Sequence, residues 1–279
     1  MVLIHYFLVF TAIYILMGWS VYLPYKVGHL HFLPVSIMAI CAYFAGIASR
    51  NWHWSFFPIL LTGLLIGFVV SYIVAKVIGD APPFSVVIVG LTFIFIVKTV
   101  IENWDYLGGS IGLFGIPSIK YLVLWTYLLL LIAGYLISVV ENSQLSRKAA
   151  VISEDRVLAA SLGIRGKELV IFFHTFSGII AGLAGILYAL LIGGLAVDFF
   201  GFLMIGTLMA ILFVGGHSSM WGVVLAAPLL GGIPILLPNI LITWKQVIYG
   251  GLLITMIVFQ PDGLISRKQL LNWKKMFKK

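Results

Sequence analysis

Apolar and polar positions in this 279-residue chain fall in long blocks, not at the short periods of a soluble fold. Roughly 20 consecutive apolar residues are needed for a helix to cross the hydrocarbon core of a bilayer. Measured that way, the pattern predicts nine spanning segments: Val2 to Leu23, Phe32 to Ser49, Phe56 to Ile78, Phe84 to Ile101, Tyr121 to Val140, Leu169 to Ile192, Phe199 to Gly215, Trp221 to Leu237 and Val247 to Phe259. Pro228, Pro234 and Pro238, with Gly231 and Gly232, interrupt the last third, so one of its segments is expected to be a broken or re-entrant helix. The predicted fold class is all-α: a polytopic integral membrane protein with about nine (eight to ten) transmembrane helices, forming one domain over residues 1–279.

One block cannot span. Residues 141–168, ENSQLSRKAAVISEDRVLAASLGIRGKE, hold nine charged side chains. Each would cost roughly 2.5–3.5 kcal/mol at the centre of a bilayer. Within this block a short helix is predicted. Ser153 is placed to cap its start, and Glu154 and Asp155 put negative charge in its first turn, where the dipole favours it. Gly163 is suited to end it in the left-handed conformation, with Arg165 and Lys167 just beyond. Leu158 and Leu162, four apart, share a face and are backed by the small residues Ala159, Ala160 and Ser161. An amphipathic helix with a small-residue centre, held between spans, has the shape of a docking element. Small residues also recur at spacing four inside the spans, at Gly63 and Gly67 and again at Gly178, Gly182, Ala181 and Gly185, where they favour close helix approach.

Composition agrees with this picture: 62% of residues are hydrophobic and 9% charged, against about 25% charged in soluble domains. The formal charge of +8 is no nucleic-acid signal. Its basic residues stand at span ends, in the central block and in the tail 261–279, as cytoplasmic segments do. With the central block and the tail inside, thirteen of the 17 lysines and arginines lie inside and four (Arg50, Lys98, Lys120 and Lys245) lie outside. The positive-inside rule then sets the N-terminus outside and the C-terminus in the cytoplasm. Nothing basic precedes the first apolar run and no small-residue cleavage site follows it, so this run is expected to remain as a span. The lone Cys41 has no partner for an internal disulfide.

Catalytic chemistry is not visible. No GxxxxGK[ST] sequence is present for nucleotide phosphates, and every acidic residue lies in a loop or at a span end. His5, His29, His31, His53, His174 and His217 appear dispersed, without metal-ligand spacing. His174, the most interior titratable group, is expected to be a neutral imidazole bonded to a neighbouring helix. Lys98 is expected to snorkel, and Asp198 to be the solvated tip of an external loop. Without carboxylates inside the spans, an ion-driven carrier lacks its usual proton relay.

Four stretches, spread over most of the chain, resemble the permease subunits of bacterial ABC importers for branched-chain amino acids. They are SEDRVLAASLGIRGKELVIFFHTFSGIIAGLAGILYAL, similar to that family's cytoplasmic coupling segment and the span after it; VGGHSSMWGVVLAAPLL, similar to its GGxGSxxGPxxGA pattern; the closing FQPDGLI; and NWDYLGGSIGLFGIP. The last resembles the TGGSxGLxGIP loop of the LivM-like branch. Where the family's second span carries a Gly-His pair, this chain has Leu33 and Pro34.

The resemblance implies a permease that moves branched-chain or other small neutral amino acids across the bacterial cytoplasmic membrane. It implies a second permease subunit, two cytoplasmic ATPase subunits that bind the ATP and Mg, and an extracytoplasmic substrate-binding protein. The chain itself then needs no cofactor, metal or catalytic residue, and beyond those subunits it meets only membrane lipid, not nucleic acid. Coupling to the ATPase would fall to Ser153, Glu154, Asp155, Leu158, Ala159, Ala160, Leu162 and Gly163. The family-motif loops near the translocation path would be Gly108, Gly109, Ser110, Gly112, Gly115 and Pro117, and Gly215, Gly216 and Gly222. The alternatives are a secondary carrier or channel for small solutes, or an ABC permease for urea, amides or sugars.

Overall fold

The computed structural model describes residues 2–216 and 218–232, with isolated positions between 244 and 255. The expected ninth span at Val247 to Phe259, the FQPDGLI motif, the tail, His217, Lys245, Pro234 and Pro238 lie outside the described residues as continuous structure. Within them the fold is all-α, and seven helical segments are long and apolar enough to cross a membrane. The first five are α1 (Val2–Tyr25), α2 (Leu33–Arg50), α3 (Phe56–Ile78), α4 (Pro83–Glu102) and α5 (Leu122–Asn142). Two short helices follow, α6 (Gln144–Glu154) and α7 (Arg156–Ser161), and then α8 (Gly166–Ile192) and α9 (Phe202–Gly215). A 3-10 turn at Val197–Phe200 leads into α9, and the two together make the seventh candidate span, Val197–Gly215.

The eighth predicted segment begins as α10 (Met220–Ala227) and widens into a π-turn over Pro228–Gly232. Proline has no amide hydrogen to donate to the ladder, which favours such a break. Thirteen residues reach about 20 Å, short of a full crossing. This piece starts beside Trp19, whose indole Nε1 donates to Met220 O at 3.0 Å. It continues to Gly231 and Gly232, where a Cβ would sit 2.5 Å from the Tyr14 ring and 2.6 Å from Thr11 Oγ1.

α8 forms the axis. It is flanked by α1, α2 and α3, and 78% of its most apolar window is buried, like 83% for α2, against 28% for α3 and 22% for α4. The poorly buried helices turn faces such as Leu61, Leu65, Ile73, Phe84, Phe95, Leu131 and Tyr135 outward, as a lipid-facing layer does. α3 and α8 approach closely at their glycines. A Cβ on Gly67 would lie 2.7 Å from Gly178 O, and one on Gly178 would lie 2.2 Å from Ser71 Cβ. The glycine spacing read from the sequence is therefore the packing seam of the protein.

Candidate coupling face

Capping chemistry builds the segment between α5 and α8. Ser143 Oγ accepts from Leu145 N at 3.1 Å and starts α6. Asp155, with φ −151° and ψ 112°, breaks the helix and starts α7, its Oδ1 accepting from Val157 N at 2.8 Å and Leu158 N at 3.0 Å. The expected cap at Ser153 is thus corrected: its hydroxyl donates to Ala150 O at 2.8 Å, inside the last turn of α6, and Glu154 ends that helix. Two candidate caps stand two residues apart, and an ionised carboxylate facing two amides outcompetes a hydroxyl. Gly163 adopts φ +72°, its amide donating to Ala160 O at 3.0 Å, and closes α7 as its sequence position indicates.

The segment has two faces. Ala149, Ile152 and Ala159 turn inward and are buried. Val157, Leu158 and Leu162 turn outward, at 81%, 51% and 64% exposure, and Ala160 is exposed with them. Leu158 and Leu162 share a face as their spacing requires, but Ala159 belongs to the opposite side and packs against its own chain. Together Val157, Leu158 and Leu162 form an exposed apolar knob at a polar end of the protein.

The inner face is pinned by contacts from two loops, the one between α1 and α2 and the one between α3 and α4. Arg156 Nη1 donates to Ala81 O at 3.0 Å, and its Nη2 hydrogen-bonds to His29 Nε2. Lys167 Nζ pairs with Asp80 Oδ2 at 2.5 Å. Gly28, at φ +78°, lets the α1–α2 loop press on α6: a Cβ there would come within 3.2 Å of Ser153 Cα. Behind Arg156 lies a cluster that the sequence reading missed. His29 Nδ1 is 3.0 Å from His174 Nε2, and the His31 ring packs edge-on against His174 with centroids 4.6 Å apart. All three are buried. His31 Nδ1 lies 3.3 Å from Val86 O. Burial first, and the Arg156 charge second, lower the His29 pKa from 6.5 to about 4; burial lowers that of His31 to about 3. The partner of His174 is therefore a loop imidazole, not a neighbouring helix. Parity offers one clue in the sequence: the loop after the first span and the polar end of the sixth belong to the same side. Among the described residues no group of three or more His, Cys, Asp or Glu is arranged to hold a metal ion.

Beside this cluster, Glu141 at the end of α5 accepts from Tyr22 Oη at 2.9 Å and from Met220 N at 3.4 Å, with Lys26 Nζ 3.7 Å away. Lys26 also donates to Ser218 O at 3.3 Å. The carboxylate thus sits at the N-terminus of α10, where it complements the dipole. Gly215 and Gly222 touch directly, a Cβ on Gly222 falling 2.0 Å from Gly215 O. Gly215, Gly216 and Gly222 therefore belong to the same end as the coupling segment.

The other glycine motif lies at the far end of α8. Leu113–Phe114 (β1) pairs antiparallel with Gly194–Leu195 (β2), and Ile116 N donates to Gly193 O at 3.0 Å. Gly108, Gly109, Gly112 and Gly115 all have positive φ, while Ser110 and Pro117 are exposed. Nearby, Lys98 Nζ meets Asp198 Oδ1 at 2.6 Å, so the expected loop-tip aspartate holds the lysine of α4. The two motif loops do not form one site; the full length of α8, about 40 Å for 27 residues, separates their ends.

Comparison with known proteins gives this geometry a family. Residues 3–257 match the family model described as "Branched-chain amino acid transport system / permease component". The "High-affinity branched-chain amino acid transport system permease protein LivM" of Escherichia coli (strain K12) is 30% identical over 172 residues, 60% of this chain and 40% of that protein. The protein of the same description from Salmonella typhimurium (strain LT2) is 29% identical over 172 residues, again 60% of this chain and 40% of its own length. The chain thus matches less than half the length of these curated relatives. No solved structure matches it. With seven apolar helices among its described residues and a family match that runs almost from end to end, the chain belongs to the permease components of branched-chain amino acid transport systems.

Proposed function

We propose that this chain is the transmembrane subunit of an ATP-driven importer for branched-chain or other small neutral amino acids, and that α6 and α7 dock on its ATPase. The exposed Val157–Leu158–Leu162 knob carries this reading. It lies on a segment whose other face is buried at Ala159 and tied by Arg156 to the loops that join the spans, so a push on the knob is delivered to the ends of the spans. A solvated linker has no use for such an arrangement. The end bearing α6 and α7 then faces the cytoplasm, in agreement with its share of the basic residues, and the N-terminus of α1 faces outside. The chain is a multi-pass protein of the bacterial cytoplasmic membrane. Its partners are a second permease subunit, two ATPase subunits that bind ATP and Mg, and an external substrate-binding protein. The scarcity of fixed charge inside the spans suits a small neutral zwitterion.

Leu158→Asp tests this directly in the reconstituted complex. The side chain is half exposed, so the permease itself folds and inserts normally. Placing a charge in the docking groove is expected to lower leucine uptake at least tenfold and to abolish transport-coupled ATP hydrolysis. Wild-type uptake in this variant would defeat the coupling assignment, and uptake of sugars with no response to leucine, isoleucine or valine would defeat the substrate.

A further inference from the structure

We propose that His29 and His174 form a one-directional hydrogen-bond strut that fixes Arg156, and with it the start of α7, to the core of α8. The inference rests on the coupling role of α7 and names the residues that position it. It follows from donor chemistry. A guanidinium has N–H donors and no acceptor, so His29 Nε2 must accept from Arg156 Nη2. His29 then carries its proton on Nδ1 and donates it to His174 Nε2, 3.0 Å away. His174 in turn must carry its own proton on Nδ1, an atom with no hydrogen-bond partner among the described residues. The whole line runs donor to acceptor in one sense only, from Arg156 into the span, and only while both imidazoles are neutral.

Every group facing the strut keeps it neutral. His29 meets Arg156 from α7 and His174 from α8; His174 meets His31 edge-on; His31 is bonded to Val86 O of α4. Among the described residues neither imidazole pairs with a carboxylate that would favour a charged ring. A proton added to His29 Nε2 would set two donors and two positive charges against each other and release Arg156.

The two rings have unequal duties. His29 works with both edges, accepting at Nε2 and donating at Nδ1. His174 is held by Nε2 alone. A glutamine amide oxygen can occupy the place of Nε2, whereas no single amide reproduces both edges of His29. We therefore expect His174→Gln to keep uptake within about twofold of wild type, and His174→Phe, His29→Gln and His29→Asn each to lower it about tenfold. Arg156→Lys should resemble the losses, since a point charge cannot serve Ala81 O and His29 together. The independent readout is 15N NMR of histidine-labelled permease in lipid bilayers. Both His29 and His174 are expected as neutral Nδ1–H tautomers at pH 7, and His29 down to pH 5, a form that is the minority in free histidine. A proton on Nε2 of either ring, or titration near 6.5, would overturn the strut. So would wild-type uptake by His174→Phe. Failure of the coupling role itself would show separately, as normal uptake in Leu158→Asp, and leaves the tautomer measurement standing on its own.

Discussion

The two ends of α8 are finished in different ways. At the coupling end, loops are joined by side chains: Arg156 to Ala81 O and His29, Lys167 to Asp80, Glu141 to Tyr22 and Met220. At the far end they are joined chiefly by backbone: β1 on β2, Ile116 N on Gly193 O, and Gly112 against Leu195 O. Side-chain ties depend on charge state and leave an apolar knob exposed. Backbone ties depend on the absence of side chains and leave little to adjust. The difference suits the proposed docking role of one end, set against an end that holds its shape.

The comparison breaks most sharply at Gly112. Its φ is +99° and a Cβ would fall 2.4 Å from Leu195 O. Gly112→Val adds backbone strain to overpacking, and a loss on the order of 4 kcal/mol is expected, read as a lower Tm of the purified permease. The coupling end should respond to acid instead. His29, ordinarily 6.5, is held near 4 in the folded chain, so its contribution to stability is complete above pH 6.5 and is lost as pH falls from 6.5 to 4, where the unfolded chain takes the proton first. On the order of 3 kcal/mol is at stake. A thermal scan from pH 7.5 to 4.5 should show this loss, with faster thiol labelling of Ser161→Cys, while Ser110→Cys at the far end labels at an unchanged rate. A flat scan would sever the link between the imidazoles and the segment.

Smaller effects separate the two faces of α7. Ala159→Trp overpacks a buried site and should cost about 1–3 kcal/mol in stability together with uptake. Ala160→Trp points outward, so stability should stay within about 0.5 kcal/mol of wild type while uptake falls. Equal stability losses would show that the helix is rotated from the orientation described. Least of all, Lys167→Gln removes an exposed pair with Asp80 and should change stability by under about 1 kcal/mol, an effect erased by salt.

Most of the architecture was legible from hydrophobic blocks because the bilayer requires it. The prediction for α3, Phe56 to Ile78, agrees with the observed helix to the residue, and α1, α2, α4 and α5 differ at their ends by one or two residues. The small-residue faces of α3 and α8 were legible too, since small residues at spacing four leave few other uses for a face, while their pairing with each other needed the structure. The interior of the polar segment was harder. Ser153 and Asp155 are both competent caps, and only the broken backbone between α6 and α7 decides for Asp155. Ala159 and Ala160 look alike in sequence, and only the direction of α7 assigns one to the core and the other to the exposed face. The histidines were invisible for a different reason: His29 and His174 lie 145 positions apart, and no local period links them.

Gly67, Gly178 and Gly182 carry a mechanical consequence. With backbones this close at the glycines, α3 and α8 have little side-chain cushion through which to slide, and turning one would drive a carbonyl into the other. The pair is a single stiff beam about 40 Å long. A tilt imposed at its Arg156 end must reappear at the Leu195 end with little loss, as with a crowbar, so labels placed across the seam should keep one separation throughout the transport cycle while labels at its two tips swing in opposite directions.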